Sequence, residues 1–285
     1  MEKLIDLHVH SNCSDGTLSP EELVAYALEK NLSAMALTDH DTVDGISRAQ
    51  TAAENTGLEL IPGIELSTEH WKKDIHILGL GINIYNQIFL EELKHFQNSR
   101  NIRNDKMIAR LQEYQIAITA DDMLAAFPNC VWTRAHFARF LLEHGYVGSL
   151  TEAFDRYLGD HAPCFVPREK VTPLQAIELI HNAGGYAILA HPLLYHLSDS
   201  NLEILVDELC QHGLDGIEAI YSTYRFSDES RMKQLAGRHG LSITGGSDFH
   251  GANKPAIDLG TGKGDLKISY EFWDILKATP PAQQE

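Results

Sequence analysis

The chain is built from short apolar segments, and most of them end in a histidine or a carboxylate. Leu4–Val9 runs into His10. Ala34–Thr38 runs into Asp39-His40-Asp41. Leu58–Leu66 carries Glu65 near its end, and Ile75–Ile82 opens with His76. Tyr186–Ala190 stops at His191, and Leu241–Thr244 stops at Gly245-Gly246-Ser247-Asp248-Phe249-His250. Such runs of four to nine residues have strand length and are predominantly apolar. Amphipathic segments lie between most of them, which is the α/β pattern. Gly216–Ile220 completes a set of seven strands, and a distorted seven-stranded (β/α) barrel of TIM-like kind accounts for that number. An open doubly wound sheet is the alternative.

The helices between the strands carry their own signals. Ser19-Pro20-Glu21-Glu22 places a cap, a proline at the first helical position and acids in the first turn. Asp44–Thr56, Pro173–Asn182, Leu202–His212, Glu229–His239 and Tyr270–Lys277 read as further helices. The link Ser67–Asp74 is too short for the dozen or more residues of a parallel crossover. The two strands it joins are therefore expected to form an antiparallel hairpin, which brings Glu65 and His76 to one edge. From Tyr85 to Gly159 the strand pattern vanishes: Leu90, Leu93, Phe96, Met107, Leu111 and Tyr114 recur at helical spacing. Residues 85–164 are thus expected to form an all-helical insert that caps the substrate, with 1–84 and 165–285 forming the barrel.

Composition narrows the function. At 44% hydrophobic residues over 285 positions the chain can bury one large core. A formal charge of −17 argues against coating duplex nucleic acid by charge neutralisation, although a short RNA end or a nucleotide held by a few arginines stays compatible with it. Cys13, Cys130, Cys164 and Cys210 form no C-x-x-C pair. No apolar run approaches the roughly 18–20 residues of a membrane span, and the first residues lack a secretory pattern, so a cytoplasmic location is expected. Sequence alone leaves the oligomeric state open.

Fifteen histidines are present. Any one of them is commonly a hydrogen-bonded core or surface residue, but the sets at strand ends are a stronger signal, because barrels carry their active sites there. His8 and His10 are two apart on a strand and share a face. With Asp15, His40, Glu65, His76, His191, Asp248 and His250 they make nine nitrogen and oxygen donors without a thiolate, a set suited to Mn²⁺, Zn²⁺ or Fe²⁺. Nine donors are too many for one ion, so two or three divalent cations are expected. Such a cluster acidifies bound water, clamps phosphate oxygens and stabilises a leaving alkoxide. Asp6 reads either as an acceptor that orients a ligand imidazole or as a plain buried hydrogen-bonding group. His70, His95, His144, His161, His181, His196, His212 and His239 read as surface or structural. Lys254 reads as a phosphate contact or a solvent-exposed amine.

His8-x-His10, Thr38-Asp39-His40, Glu65, His76, His191 and Asp248-x-His250 together resemble the PHP (polymerase and histidinol phosphatase) family. The resemblance implies a PHP-type barrel and a trinuclear site. His8, His10, Glu65 and Asp248 would hold one metal, Glu65, His76 and His191 a second, and Asp15, His40 and His250 the third. Some members carry His where this chain has Asp15. The insert and the phrase His76-Ile77-Leu78-Gly79-Leu80-Gly81 look like a branch that contains 3′,5′-nucleoside bisphosphate phosphatases and the 5′-to-3′ exoribonuclease RNase AM. The expected activity is removal of the 3′-phosphate from a nucleoside 3′,5′-bisphosphate. Trimming of RNA 5′ ends and histidinol phosphate hydrolysis are the alternatives. Arg100, Arg103, Arg134 and His136 are the expected substrate-binding residues. Arg100 and Arg103 are neighbours on a helix face suited to a second phosphate, though a solvated basic patch explains Arg103 equally well. Asp15, Arg134 and His136 are the expected catalytic residues, with a metal-bound water or His136 protonating the leaving oxygen. Many relatives carry His near Tyr224, a departure that bears on substrate choice.

Overall fold

The computed structural model describes residues 3–159, 161–167 and 171–281. Seven strands form one sheet in chain order: β1 Ile5–Val9, β2 Ala34–Leu37, β3 Glu59–His70, β4 Lys73–Leu80, β5 Tyr186–Leu189, β6 Gly216–Tyr221 and β7 Ser242–Gly246. All neighbouring pairs are parallel except those made by β4, which is antiparallel to both β3 and β5. β7 returns to β1: the Asp248 amide donates to the His8 carbonyl at 2.8 Å and the His10 amide to the Phe249 carbonyl at 3.0 Å. The sheet is therefore a nearly closed barrel, not an open doubly wound sheet. Closure leaves the strands buried on both faces, which is why β1, β2 and β6 have no exposed residue.

The hairpin of β3 and β4 turns on two residues, Trp71 and Lys72, both at positive φ (51° and 62°). The link is thus shorter than the Ser67–Asp74 expected, because both strands keep pairing as far as His70 and Lys73. The left-handed pair matches the strand twist as a primed turn does.

Ten α-helices are found among the described residues: α1 Pro20–Glu29, α2 Ile46–Ala53, α3 Gln87–Glu113, α4 Ala120–Ala126, α5 Arg134–Glu143, α6 Leu150–Ala153, α7 Pro173–Asn182, α8 Asp199–Gln211, α9 Phe226–His239 and α10 Glu271–Ala278. Caps fix their starts. Ser19 accepts from the Glu22 amide, and Glu22 returns a bond to the Ser19 amide at 2.8 Å. α2 is shorter than the Asp44–Thr56 stretch, since Glu54 leaves helical geometry.

Between β4 and α7 the described elements are all helical, and α6 passes into a π-helical turn at Phe154–Leu158. The boundary drawn at residue 85 does not coincide with a break in packing. The first half of α3 buries Phe89, Leu93 and Phe96 in the core shared with the barrel helices. A separate apolar cluster, containing Met107, Leu111, Phe137 and Phe140, starts only in the second half of α3. No helix among the described residues is long and apolar enough to cross a membrane.

Candidate metal centre and adjoining cavity

All nine expected donors converge on one rim of the barrel, most of them from strand ends and the loops after them. β1 delivers His8 and, one residue past its end, His10, while Asp15 lies in the loop that follows. β2 is followed by His40, β5 by His191 and β7 by Asp248 and His250. Glu65 and His76 face each other across the hairpin arm, where Ser67 pairs with His76. Glu65 therefore sits inside a long strand and not at its end.

Glu65 is the hub. Its Oε2 lies 3.3 Å from His8 Nε2, 3.2 Å from His10 Nε2 and 3.1 Å from His40 Nδ1. Its Oε1 lies 2.8 Å from His76 Nδ1 and 2.9 Å from His191 Nε2. Asp248 Oδ1 is 3.6 Å from His8 Nε2 and 3.3 Å from His10 Nε2. Asp15 approaches His250 Nε2 at 3.1 Å and His40 Nε2 at 3.8 Å. Four overlapping donor groups result: His10, Asp15, His40 and His250; His8, Glu65 and His191; His8, His10 and Asp248; His40, Glu65 and His76. Within each, the ligating atoms lie within 4.8 Å of one another.

The donor chemistry fits divalent cations. His8 Nε2, His10 Nε2 and Asp15 Oδ1 are buried without a hydrogen-bond partner, which is costly unless something positive sits among them. Burial would push the His8 pKa down, but Glu218, Glu65 and Asp248 outweigh it and hold it well above the ordinary value. Burial likewise opposes a charge on His10, yet the neighbouring Asp248 and Glu65 carboxylates raise it to about 9. His40, where burial wins, is pushed down to about 3. Despite burial, the imidazoles hold Asp15 and Glu65 well below the carboxylate range, as Lys254, His250 and His8 hold Asp248. The cage has a surplus of negative charge, which a cation neutralises as a proton would.

The residues around the cage hold it in place. Asp39 accepts from the Ser11 amide at 2.7 Å, the Ser11 hydroxyl at 2.5 Å and the Ser14 hydroxyl at 2.6 Å, which pins the loop after β1. Asp6 does not touch an imidazole. It accepts from the Ser247 amide at 2.9 Å, the Gly260 amide at 2.9 Å and the His8 amide at 3.3 Å, so its work is on the backbone. The residue beside the His8 ring is Glu218, at 3.0 Å from Nδ1. Glu218 escapes the sequence reading because Gly216–Ile220 passes as an apolar strand; a lone glutamate inside such a run is the signal that could reveal it, and the structure buries it fully. Tyr221 and Lys254 both donate to Asp248 Oδ2, at 2.6 and 2.5 Å, leaving Oδ1 for the cage. Gly246 passes His8 so closely that a Cβ there would lie 2.2 Å from the His8 Cβ.

A cavity of about 170 Å³ opens beside the cage, lined by Asp15, His40 and His76 on one side and Arg100, Arg103, Thr133 and Arg134 on another. Arg103 is buried in its wall, so it is not part of a solvated patch. Arg100 is buried too, but its guanidinium is held by the Asp41 carboxylate and by Ser67 Oγ at 2.7 Å, so it is not an open half of a paired phosphate clamp. Arg134 reaches Asp74 Oδ2 at 2.6 Å and lies over the Phe165 ring. Thr133, the cap of α5, donates to Asp15 Oδ2 at 2.8 Å and so couples the helical segment to the cage.

His136 does not line this cavity. Its Nδ1 accepts from the Thr133 amide at 3.0 Å, its Nε2 faces Cys130 Sγ at 3.6 Å, and burial pushes its pKa down to about 4. Helical geometry sends the third residue of α5 back over the cap, which removes His136 from proton transfer in this structure. Tyr224 accepts from the Leu193 amide at 3.0 Å and stabilises the loop after His191. Of the remaining histidines, His181 bonds Asp215 at 2.8 Å and His239 bonds Glu203 at 2.9 Å, away from the cage. The four cysteines are free thiols.

Comparison with known proteins agrees with this geometry. The chain is 38% identical over 259 residues to the 5′-3′ exoribonuclease Rnm of Escherichia coli, covering 90% of this chain and 88% of that protein. It is 33% identical over 275 residues to the 3′,5′-nucleoside bisphosphate phosphatase of Chromobacterium violaceum, covering 96% of each. A solved amidohydrolase structure from Chromobacterium violaceum, with bound sulfate and no metal, superposes with a TM-score of 0.84 at 32% identity, covering 98% of both chains. A Bifidobacterium adolescentis protein assigned as a metal-dependent phosphoesterase also gives a TM-score of 0.84, at 28% identity, covering 97% of this chain and 96% of that one. The PHP domain family matches residues 6–166, a span that runs from the first ligand strand through the helical segment. Barrel, converging donors and relatives agree, and the chain belongs to the PHP family of metal-dependent phosphoesterases.

Proposed function

We propose that the protein hydrolyses the phosphoester on the 3′ side of a nucleotide that carries a 5′-phosphate. That bond is a monoester in a nucleoside 3′,5′-bisphosphate and a diester at the 5′ end of an RNA, so one site serves both substrates. The observation that carries the reading is the cavity in which Arg100, Arg103 and Arg134 share a lining with Asp15, His40 and His76. It offers separate places for two phosphates, a scissile one at the cage and an anchoring one at the arginines. Histidinol phosphate has a single phosphate and would leave the arginine side unused.

His8, His10, Asp15, His40, Glu65, His76, His191, Asp248 and His250 would hold two or three divalent cations, for which the nitrogen and oxygen set suits Mn²⁺ first and Zn²⁺ or Fe²⁺ as well. Bound cations supply Lewis acidity and an acidified water for attack on phosphorus. The chain's own residues do the rest. Arg134, partly buried at the cavity wall, exchanges its Asp74 partner for phosphate oxygens. Arg100, locked by Asp41 and Ser67, shapes the cavity wall without moving. Thr133 holds Asp15 toward His250, and Lys254 with Tyr221 holds Asp248 toward His8 and His10.

The exoribonuclease reading draws support from the 38% identity to the Escherichia coli enzyme, and the phosphatase reading from the 96% coverage of the Chromobacterium violaceum enzyme. Initial rates with Mn²⁺ on a nucleoside 3′,5′-bisphosphate, the matching 3′-monophosphate, and short RNAs with 5′-phosphate or 5′-hydroxyl ends test the proposal. The 5′-phosphate is expected to raise kcat/KM by at least about 10-fold in both series, as one charge-assisted contact is worth about 1.5–3 kcal/mol. Arg134→Ala is expected to abolish that preference. Equal rates with and without the 5′-phosphate would refute it.

A further inference from the structure

Glu218 is fully buried in the middle of β6, beneath the cage, and belongs to none of the donor groups. Both of its carboxylate oxygens are used. Oε1 lies 3.0 Å from His8 Nδ1, and Oε2 accepts from the His191 backbone amide at 2.8 Å. One side chain from β6 thus holds a donor from β1 and another from the loop after β5.

We propose that Glu218 is the positioning residue that selects the metal-ready tautomer of His8 and clamps His191 at the cage edge; this rests on the metal-centre reading above. With Glu218 Oε1 3.0 Å away as the acceptor, a metal-ligating His8 carries its ring proton on Nδ1. Nε2 then carries a lone pair, and it is this atom that points at Glu65 and Asp248, buried and without a hydrogen-bond partner. Carboxylates that orient ligand imidazoles in this way raise ligand basicity as well. His191 has φ +28°, a conformation a non-glycine residue keeps only when its surroundings over-determine it. The bond from its amide to Glu218 is one such restraint. Space for the carboxylate comes from Gly246, where a Cβ would lie 2.9 Å from Glu218 Oε1.

Glu218→Gln separates positioning from mere space-filling. The amide has the same shape but one donor end. If that end faces His8, it drives the ring proton to Nε2 and blocks the ligating atom. If it faces His191, two N–H groups meet. Manganese titration of dialysed protein, followed by electron paramagnetic resonance, is the measurement. Wild type is expected to take up two or three ions per chain. Glu218→Gln is expected to lose about 10-fold or more in affinity for at least one of them while its metal-free thermal midpoint stays near that of wild type. Glu218→Asp, which keeps two acceptors on a shorter arm, is expected to fall between the two. Wild-type affinity in Glu218→Gln would overturn the assignment while leaving the metal centre intact. Absence of any uptake by wild type would overturn the metal centre itself and this role with it. Should neither variant fold, long-range ¹H–¹⁵N correlation on zinc-loaded wild type decides: a proton on His8 Nδ1 supports the proposal and a proton on Nε2 overturns it.

Discussion

At His136 the residue scale is thermodynamic. Its pKa falls from an ordinary 6.5 to about 4 because burial disfavours the cation. The unfolded chain therefore binds a proton that the folded one refuses, and the stability held above pH 6.5 is lost as the pH drops toward 4. Between pH 7.5 and pH 5 the loss amounts to about 2 kcal/mol. Urea denaturation of metal-free protein is expected to show wild type losing that much more than His136→Asn over this interval. Equal losses would mean that His136 is not held neutral. Gly246→Ala tests a contact of another kind. The added methyl overlaps the His8 Cβ, so the barrel must shift where its ligands are set. A loss of about 1–3 kcal/mol in stability is expected from overpacking, together with weaker metal uptake. A variant as stable as wild type would show that β1 and β7 approach less closely than described.

Elements are held by features that vary in legibility. Helix starts were readable because a capping box pairs a serine or threonine with an acid three positions on, as at Ser19 and Glu22. The hairpin was readable from the shortness of its link, but its turn was not, since Trp71 and Lys72 carry none of the Asn-Gly signal such turns favour. That mismatch is testable. Lys72→Gly relieves a left-handed side-chain conformation and is expected to stabilise the fold by about 0.5–1 kcal/mol, whereas Lys72→Val is expected to destabilise it. Thermal melts that rank the two the other way would exclude the left-handed turn. Helix α3 resists reading from its pattern, since its first half packs on the barrel core and its second half on the helical cluster. A single periodicity cannot report a change of partner halfway along.

On the scale of the whole molecule, the fold brings carboxylates from three distant segments into one buried cage. Cations bound there would offset part of a formal charge of −17. The native state, which alone assembles the cage, is expected to gain about 2.7 kcal/mol per site at a hundred times the dissociation constant. A thermal midpoint that climbs with Mn²⁺ and falls back on adding a chelator is the expected outcome, and a midpoint indifferent to both would remove the metal centre. Turnover is expected to disappear and return with the same treatments.

Local pattern determined the strands and most helices and singled out the nine residues that converge, because residue period and strand ends are properties of neighbouring positions. His8 and His10 face one way whatever the rest of the chain does. Tertiary structure alone decided the partners. Glu218 lies 210 residues from His8, Asp41 disarms Arg100 from 59 residues away, and Thr133 reaches Asp15 across 118. Such choices depend on which buried group finds another within about 3 Å once the barrel closes, and a one-dimensional pattern carries no record of that distance.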